Sequence, residues 1–233
     1  MGINFNKMDL DTVVIFGAGS FLAKKIIKRI NFKKAICFSK TLNKSFSKSK
    51  KILFFKSYLD NQEKINKLLN KKKITVIFFN NTTFDNLILN KNHLEISKEI
   101  SENIINTFNN AREISKVLVK NNFGRLIFIN STRALKGDVG TSGYSISKHG
   151  ILGMMKSFSK ELSRFNVTSN CLSLGFFESP LFKKISKKTR NNLLSKCDNK
   201  SIGDINSLAN AIKFISNSNY VTGSTVFVDG GYQ

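Results

Sequence analysis

A tyrosine and a lysine stand four positions apart in the segment Tyr144-Ser-Ile-Ser-Lys148. On a helix this spacing places the two side chains one turn apart on the same face. An ammonium close to a phenol stabilises the phenolate, so such a tyrosine can exchange a proton near neutral pH. In a chain with 38 Lys and Arg among 233 residues, however, a lysine at this distance from one of four tyrosines is about an even chance. The pair therefore needs support from the rest of the sequence.

A glycine turn between a predicted strand and a predicted helix offers a second chemical feature. Strand Thr12–Phe16 runs directly into Gly17-Ala-Gly-Ser20, and an amphipathic segment, Lys24–Ile30, follows. Glycines at such a turn let the backbone approach a pyrophosphate, which then rests on the N–H groups at the start of the helix. Phe21 and Ala23 stand where further glycines are usual, so an ordinary strand–helix turn remains an alternative on this segment alone.

The elements that must position these residues follow from hydrophobic periodicity. A capping box, Asp60-Asn-Gln-Glu63, predicts a helix start, and long helices are expected to begin near His93 and Gly143. Repeated βαβ units predict an α/β fold of one domain over residues 1–233, a Rossmann-like doubly wound parallel sheet with helices on both faces. Short β-branched and aromatic runs predict seven strands: Thr12–Phe16, Ala35–Ser39, Ile52–Lys56, Ile74–Asn80, Arg125–Asn130, Val167–Leu172 and Thr225–Val228.

The composition argues against several classes of protein. The hydrophobic and charged fractions, 41% and 23%, are those of a globular chain with a full core. The three cysteines, Cys37, Cys171 and Cys197, are odd in number and form no CxxC pair, which argues against a disulfide framework or a metal site and favours a reducing cytoplasm. No leader segment and no apolar run of membrane-spanning length is recognised, so we expect no membrane association.

The formal net charge of +23 raises the alternative of a nucleic-acid-binding protein. The lysines are spread along nearly the whole chain, and the densest basic stretch, Lys40–Lys51, is a Ser- and Lys-rich predicted loop without aromatic residues spaced for base stacking. We therefore expect no nucleic-acid partner. The charge is interpreted as a solvated surface, with a positive field that assists an anionic ligand as the alternative.

Several short motifs occur in an order that resembles the short-chain dehydrogenase/reductase family. Ser131 ends a predicted strand thirteen positions before Tyr144, and the remaining motifs extend the match from residue 12 to residue 231. The sequence offers Gly17-Ala-Gly-Ser20, Asn80-Asn-Thr-Thr83, Asn103, Ser131, Tyr144 to Lys148, Leu174-Gly175 and Val228-Asp-Gly-Gly231.

The resemblance implies a role for each matching residue. Tyr144 would be the general acid that protonates a carbonyl oxygen, and Ser131 would hydrogen-bond the same oxygen. Lys148 would stabilise the phenolate and hold the nicotinamide ribose, while Asn103 would anchor a water that relays protons to Lys148. The residues expected to bind the dinucleotide are Gly17, Gly19, Ser20, Phe21, Leu22, Ser39, Lys40, Asn80, Lys148 and Gly175.

The cofactor expected is NADP(H) rather than NAD(H). Ser39 stands at the end of the second predicted strand, where an acidic residue would accept both ribose hydroxyls, and Lys40 follows it. A cation in place of an acid favours the 2′-phosphate. Thr82 and Thr83 depart from the family's Ala-Gly, and Leu174 from its proline, so we expect cofactor binding to survive in a weakened form.

Within the family the chain resembles the 3-oxoacyl-ACP reductases, notably in Asp85-Asn86-Leu87 and in Gly175 to Gly223. This implies a 3-oxoacyl thioester substrate on acyl carrier protein, with Phe176, Phe177, Leu181 and Phe182 as candidate lining of an acyl slot. Lys120 and Arg164 are possible substitutes for carrier-docking arginines. A homotetramer or homodimer is implied too. A reductase of sugars or other small ketones, and a catalytically silent dinucleotide-binding protein, remain alternatives.

Overall fold

The computed structural model describes residues 10–40, 49–80 and 82–232, which include a seven-stranded parallel sheet. The strand order is β3-β2-β1-β4-β5-β6-β7. Strands β1 to β3 follow one another toward one side of the sheet and β4 to β7 toward the other, so the order reverses between the neighbours β1 and β4. All seven predicted strands are confirmed, with ends that shift by a few residues. Their bounds are β1 Leu10–Phe16, β2 Phe32–Phe38, β3 Ile52–Phe55, β4 Ile74–Phe78, β5 Gly124–Ser131, β6 Val167–Leu174 and β7 Thr225–Val228.

Helices cover both faces of this sheet, as the repeated βαβ pattern predicts. The buried apolar residues form two clusters, one between the sheet and α1 and α9, the other between the sheet and α2, α4 and α6. The bounds of the helices are α1 Phe21–Arg29, α2 Gln62–Leu69, α3 His93–Ile100, α4 Asn106–Lys120, α5 Thr132–Lys136, α6 Ser142–Leu162, α7 Pro180–Lys184, α8 Lys187–Ser195 and α9 Ile205–Asn217.

Four phenylalanines form a ladder across the middle of the sheet. Strand register pairs Phe38 with Phe16, Phe16 with Phe78 and Phe78 with Phe128. The ring centroids of these pairs lie 4.6, 4.9 and 4.9 Å apart, and the rings are stacked. Buried aromatic pairs in this arrangement stabilise a sheet beyond the area they bury. The ladder fixes β2, β1, β4 and β5 in register close to their carboxyl ends.

Two local details differ from expectation. The predicted capping box is wrong: α2 begins at Gln62 after a 3₁₀ turn, and its N-cap, Asn61, makes no side-chain cap bond. The Asn61 side chain instead donates to the Ser57 carbonyl, because the 3₁₀ turn moves the helix start past the predicted cap. The second detail lies between α3 and α4, where Ser101–Ile105 forms one turn of π-helix. π-helical turns of this kind recur at functional sites.

Most of the basic stretch Lys40–Lys51, and Asn81 of the Asn-Asn pair, lie outside the described residues. Among the helices that are described, none combines the length and apolar character that crossing a membrane requires.

Candidate active site

A cleft of about 560 Å³ opens at the carboxyl ends of β1, β2 and β4. This is the edge of an open parallel sheet at which ligands bind, at the point where the strand order reverses. Six of the predicted cofactor-binding residues line it: Gly17, Gly19, Ser20, Ser39, Lys40 and Asn80.

The glycine turn packs tightly against the end of β4. Gly17 has a φ of +74°, and a Cβ added there would lie 2.8 Å from the Phe79 carbonyl oxygen and 3.2 Å from Asn80 Oδ1. Only glycine fits this position without displacing backbone. Ser20 then caps α1 by accepting a hydrogen bond at Oγ from Ala23 N. The turn thus presents the start of α1 to the cleft, as pyrophosphate binding requires.

Four predicted cofactor residues do not line this cleft: Phe21, Leu22, Lys148 and Gly175. Leu22 packs against the core beneath α1. The Phe21 ring lies under Lys25, whose Nζ is 4.7 Å from the ring centroid. Gly175 lies after β6, where an added Cβ would meet Asp229 at 2.6 Å. Their contact with a dinucleotide stays a prediction.

Lys40 lines the cleft and forms an ion pair with Glu102, another lining residue. Its Nζ lies 2.6 Å from Glu102 Oε1, although the lysine side chain is 81% exposed. An ion pair this exposed contributes little to stability. The contact of Lys40 with a cofactor phosphate stays a prediction.

Lys148 lies in α6 and is almost fully buried. Its Nζ donates hydrogen bonds to the backbone carbonyls of Asn80 and Ile129, each at 3.0 Å. Burial lowers the pKa of this ammonium to about 8, since desolvation disfavours the charged form, and the nearby Cys171 opposes the change. The ammonium links the ends of β4 and β5.

Tyr144 and Ser131 lie at the same end of the sheet. Tyr144 is half-buried in the first turn of α6, and Lys148 Nζ is 5.4 Å from its ring centroid. Ser131 ends β5 and caps α5 by accepting from Ala134 N at 3.4 Å. Since Lys148 bonds the carbonyl of Ile129, the helix that carries Tyr144 is tied to the strand end that carries Ser131.

Asn103 lies in the π-helical turn and is 1% exposed. Its Nδ2 donates to the Thr82 carbonyl at 2.6 Å, and its Oδ1 accepts from Thr82 N at 2.8 Å. The side chain thus holds the backbone of the segment that follows β4. Its predicted role in a water relay to Lys148 stays a prediction, and the amide of the side chain is already engaged elsewhere.

Asn130 is a site residue that the sequence analysis missed. Its Nδ2 donates to the Lys148 carbonyl at 3.0 Å, and its Oδ1 accepts from Ser131 N at 2.8 Å. One buried amide therefore joins α6 to the end of β5. Its place directly before Ser131 was the available signal, but in an Asn-rich chain one asparagine does not stand out.

The aromatic residues expected to line an acyl slot divide into two groups. Phe177 is buried in the core, with Gly203 packed on its ring. Phe176 instead packs on Tyr232 at 5.1 Å and on Phe182 at 6.0 Å between ring centroids. Phe177 therefore belongs to the core, whereas the other aromatic rings form a cluster beyond the end of β6. The Leu181 side chain lies outside the described set.

Known proteins resemble the chain over most of its length. A family model described as Enoyl-(Acyl carrier protein) reductase matches residues 61–233. A 3-oxoacyl-[acyl-carrier-protein] reductase FabG of Buchnera aphidicola subsp. Schizaphis graminum is 30% identical over 97% of this chain and 98% of its own length. The protein of the same name from Rickettsia felis is 32% identical, over 74% of this chain and 73% of its own.

Solved structures share the fold at lower sequence identity. A short chain dehydrogenase from Leptospira borgpetersenii with bound NAD+ superposes with a TM-score of 0.83 at 15% identity, covering 100% of this chain and 96% of that one. ElxO with NADP bound gives 0.81 at 20% identity, covering 96% of this chain and 98% of that one. With the family model matched over most of the sequence and the fold in agreement, the chain belongs to the short-chain dehydrogenase/reductase family of NAD(P)-dependent oxidoreductases that act on CH–OH and C=O groups.

Proposed function

We propose that the chain reduces a 3-oxoacyl thioester, carried by acyl carrier protein, to the 3-hydroxyacyl thioester with NADPH. The observation that carries this proposal is the tie between Lys148 and the ends of β4 and β5, which places Tyr144 and Ser131 at one edge of the sheet. The names of the bacterial relatives support the substrate class.

The described residues fit a dinucleotide. The lining of the cleft includes Ser39, Lys40 and Asn80, and the glycine turn brings the start of α1 to it, where backbone N–H groups would face a pyrophosphate. Bound there, the cofactor would supply the hydride that reaches the carbonyl carbon.

Residues of the protein would then protonate and hydrogen-bond the carbonyl oxygen of the substrate. Tyr144 donates its proton to the carbonyl oxygen as negative charge develops, and Ser131 hydrogen-bonds the same atom. Lys148 stabilises the resulting phenolate because its ammonium is buried and lies close to the ring. Asn130 and the carbonyl of Asn80 keep Lys148 in place, so the proton donor is preorganised before the substrate arrives.

NADPH is proposed as the preferred cofactor. Three lysines, Lys40, Lys56 and Lys98, line the cleft. Glu102 is the acidic group among the lining residues, and it already faces Lys40. The positive balance favours a ligand with an added phosphate.

A homo-oligomer in a reducing cytoplasm completes the proposal. Leu94 at the start of α3 and Ile146 in α6 are 77% and 54% exposed, which suits helices that pack against a second copy. The cysteines Cys37, Cys171 and Cys197 are free and buried. Free thiols are typical of proteins in a reducing compartment.

A reductase of sugars or other small polar ketones is the second candidate. Arg133, two residues after Ser131, donates from Nε to Asp138 at 2.7 Å, and its Nη1 lies 3.8 Å from Asp85. A half-buried polar cluster this close to Ser131 suits a substrate that carries hydroxyl or carboxylate groups.

Steady-state oxidation of NADPH and NADH separates these candidates. The substrates are acetoacetyl thioesters on carrier protein and on a short pantetheine mimic, a crotonyl thioester as the enoyl control, and a panel of sugars and simple ketones. We expect turnover of the acetoacetyl thioesters with NADPH. Reduction of a sugar or simple ketone without turnover of either acetoacetyl thioester would refute the substrate class, and reduction of the crotonyl thioester alone would refute carbonyl reduction.

A further inference from the structure

A fully buried ion pair lies beside the first turn of α6. Lys91 Nζ and Glu99 Oε2 are 2.7 Å apart, and neither side chain is exposed to solvent. Removing two charges from water is costly, and well-packed apolar side chains of similar size often stabilise a protein as well or better. Stability alone therefore does not account for the pair, and its other contacts indicate what it does.

Glu99 touches two parts of the candidate active site at once. Its Oε1 accepts a hydrogen bond at 2.7 Å from the backbone N–H of Phe84, in the segment that follows β4. Its Oε2 lies against Gly143, where an added Cβ would overlap the carboxylate and lie 3.2 Å from Lys91 Nζ. Gly143 directly precedes Tyr144. The carboxylate thus joins the segment after β4 to the turn that carries the tyrosine.

Two further contacts, one helical turn beyond Glu99 and one helical turn beyond Gly143, join the same parts of the structure. Asn103, one turn after Glu99, holds Thr82 through both of its side-chain polar atoms. Ser147 Oγ donates to the backbone carbonyl of Glu99 at 3.4 Å, and Ser147 directly precedes Lys148. The face of α6 next to Tyr144 and Lys148 therefore packs on α3.

We propose that Glu99, held in place by Lys91, is a positioning residue for Tyr144 through its hydrogen bond to the Phe84 N–H. The Glu99 side chain fixes the rotation and height of the first turn of α6 relative to the segment 82–84, and the Lys91 ammonium holds that side chain in place. Apolar side chains would fill the same space but would leave the Phe84 N–H unbound. The kinetic consequence of this inference rests on the proposed function, whereas its structural consequence does not.

Two double variants isolate the hydrogen bond to Phe84. Lys91→Met with Glu99→Gln removes both charges but keeps an acceptor at Oε1, whereas Lys91→Met with Glu99→Leu removes the acceptor as well. Each variant leaves one buried polar group unpaired, so their losses of thermal stability should be similar. Gly143→Ala is a third test variant, because its added Cβ displaces the Glu99 carboxylate while both charged residues are kept.

The measurements are kcat, KM, the Kd of NADPH and the ¹³C NMR signal of Tyr144 in tyrosine-labelled protein, assigned by its loss in Tyr144→Phe. We expect kcat within about threefold of the unaltered chain in the Gln variant and at least about tenfold lower in the Leu variant. KM and the Kd of NADPH should stay within about twofold in both. The Tyr144 signal should move in the Leu variant and in Gly143→Ala, but not in the Gln variant.

Equal kcat values and equal Tyr144 signals in the two double variants would overturn the proposal. A Leu variant that loses NADPH affinity and thermal stability in proportion to kcat would reduce the pair to a general structural role, and would overturn it as well. Absence of turnover by the unaltered chain on every substrate would refute the proposed function. In that case the NMR comparison alone still decides whether Glu99 positions Tyr144 through its hydrogen bond to Phe84.

Discussion

At the scale of single residues, the buried ammonium of Lys148 controls the candidate site. It bonds two backbone carbonyls from neighbouring strands and lies close to the ring of Tyr144. Its burial has a consequence for pH, since a lysine with an ordinary pKa would stay charged well above the range in which this one titrates.

The first prediction concerns that pH dependence. The pKa of Lys148 is about 8, so the ammonium is charged at neutral pH and loses its proton as pH rises through that value. Because the folded pKa is below the ordinary value of 10.5, burial costs stability below about pH 8, and the cost disappears above pH 10.5. We expect kcat/KM and NADPH affinity to fall above about pH 8 while the free energy of unfolding does not. Constant kcat/KM up to pH 9.5 would contradict this.

A second prediction tests the proposed preference for NADPH. Lys40→Ala should weaken NADPH binding about fivefold, or about 1 kcal/mol, because an exposed charge pair contributes no more than this, and NADH binding should not change. Fluorescence titration of both reduced cofactors measures the effect. The matched control is Lys67→Ala, which removes another exposed, ion-paired lysine outside the lining of the cleft. Tighter binding of NADH than NADPH by the unaltered chain would reverse the assignment.

At the scale of elements, the strands were predictable because continuous apolar runs are typical of a parallel sheet buried on both faces. The predicted bounds differ at both ends: β1 and β2 begin earlier than predicted, whereas Ser39 and Asn80 were assigned to strands but lie just beyond their carboxyl ends. Polar residues there turn toward the cleft. β-propensity alone does not distinguish the last paired residue from the first residue of a binding loop.

The buried ion pair could not be predicted from the sequence. Lys91 and Glu99 stand in a chain with many lysines, where charged residues on a helix usually face solvent. Their burial depends on how α3 packs on α6 and on the absence of a side chain at Gly143. The π-helical turn around Asn103 is hidden for a similar reason, because regular helical spacing of isoleucines runs straight through it.

The third prediction concerns the glycine turn after β1. Gly17→Ala adds a Cβ that would lie 2.8 Å from the Phe79 carbonyl, at a positive φ, so we expect a loss of about 1–3 kcal/mol in the free energy of unfolding and weaker NADPH binding. Urea unfolding and cofactor titration provide the measurements.

The matched control for Gly17 is Gly153→Ala. This glycine lies within α6 and has open space around its added Cβ, so the same change should be neutral or stabilise by up to about 1 kcal/mol. If both substitutions had the same effect, the close approach of Gly17 to β4 would not constrain the turn.

At the scale of the whole molecule, the net charge and the positions of Lys120 and Arg164, the candidate residues for docking carrier protein, indicate how a carrier-bound substrate would be delivered. A net charge of +23 would speed encounter with an acidic carrier protein. Lys120 and Arg164 are exposed, and the segments that carry them are joined by a hydrogen bond from Asn166 Nδ2 to the Asn122 carbonyl. They lie near the starts of β5 and β6, however, and Ser131 lies at the other end of β5.

The eight residues of β5 separate the two ends by roughly 23 Å at the usual rise of a strand. A carrier docked at Lys120 and Arg164 is therefore far from Tyr144 of the same chain. Docking there would suit delivery to the site of a neighbouring copy, which connects the proposed carrier partner with the proposed homo-oligomer.

The fourth prediction separates docking from chemistry. Lys120→Glu with Arg164→Glu should raise KM for acetoacetyl carrier protein by about tenfold at low salt, with no change in kcat for the pantetheine mimic, because the change reverses charge only on the docking surface. Lys187→Glu with Lys188→Glu reverses two exposed charges in α8 and serves as the control. If the two double variants had equal effects, the overall charge alone would account for carrier binding, and docking at Lys120 and Arg164 would be refuted.

The central claim is that Tyr144 donates the proton in carbonyl reduction. The most direct test is Tyr144→Phe, assayed for NADPH-dependent reduction of an acetoacetyl thioester beside NADPH titration of the same protein. We predict a loss of kcat/KM of at least about a hundredfold, with the Kd of NADPH within about twofold, because the change deletes the general acid and little contact area. Retention of more than about a tenth of kcat/KM, a loss of less than about 1.4 kcal/mol in transition-state stabilisation, would contradict the account.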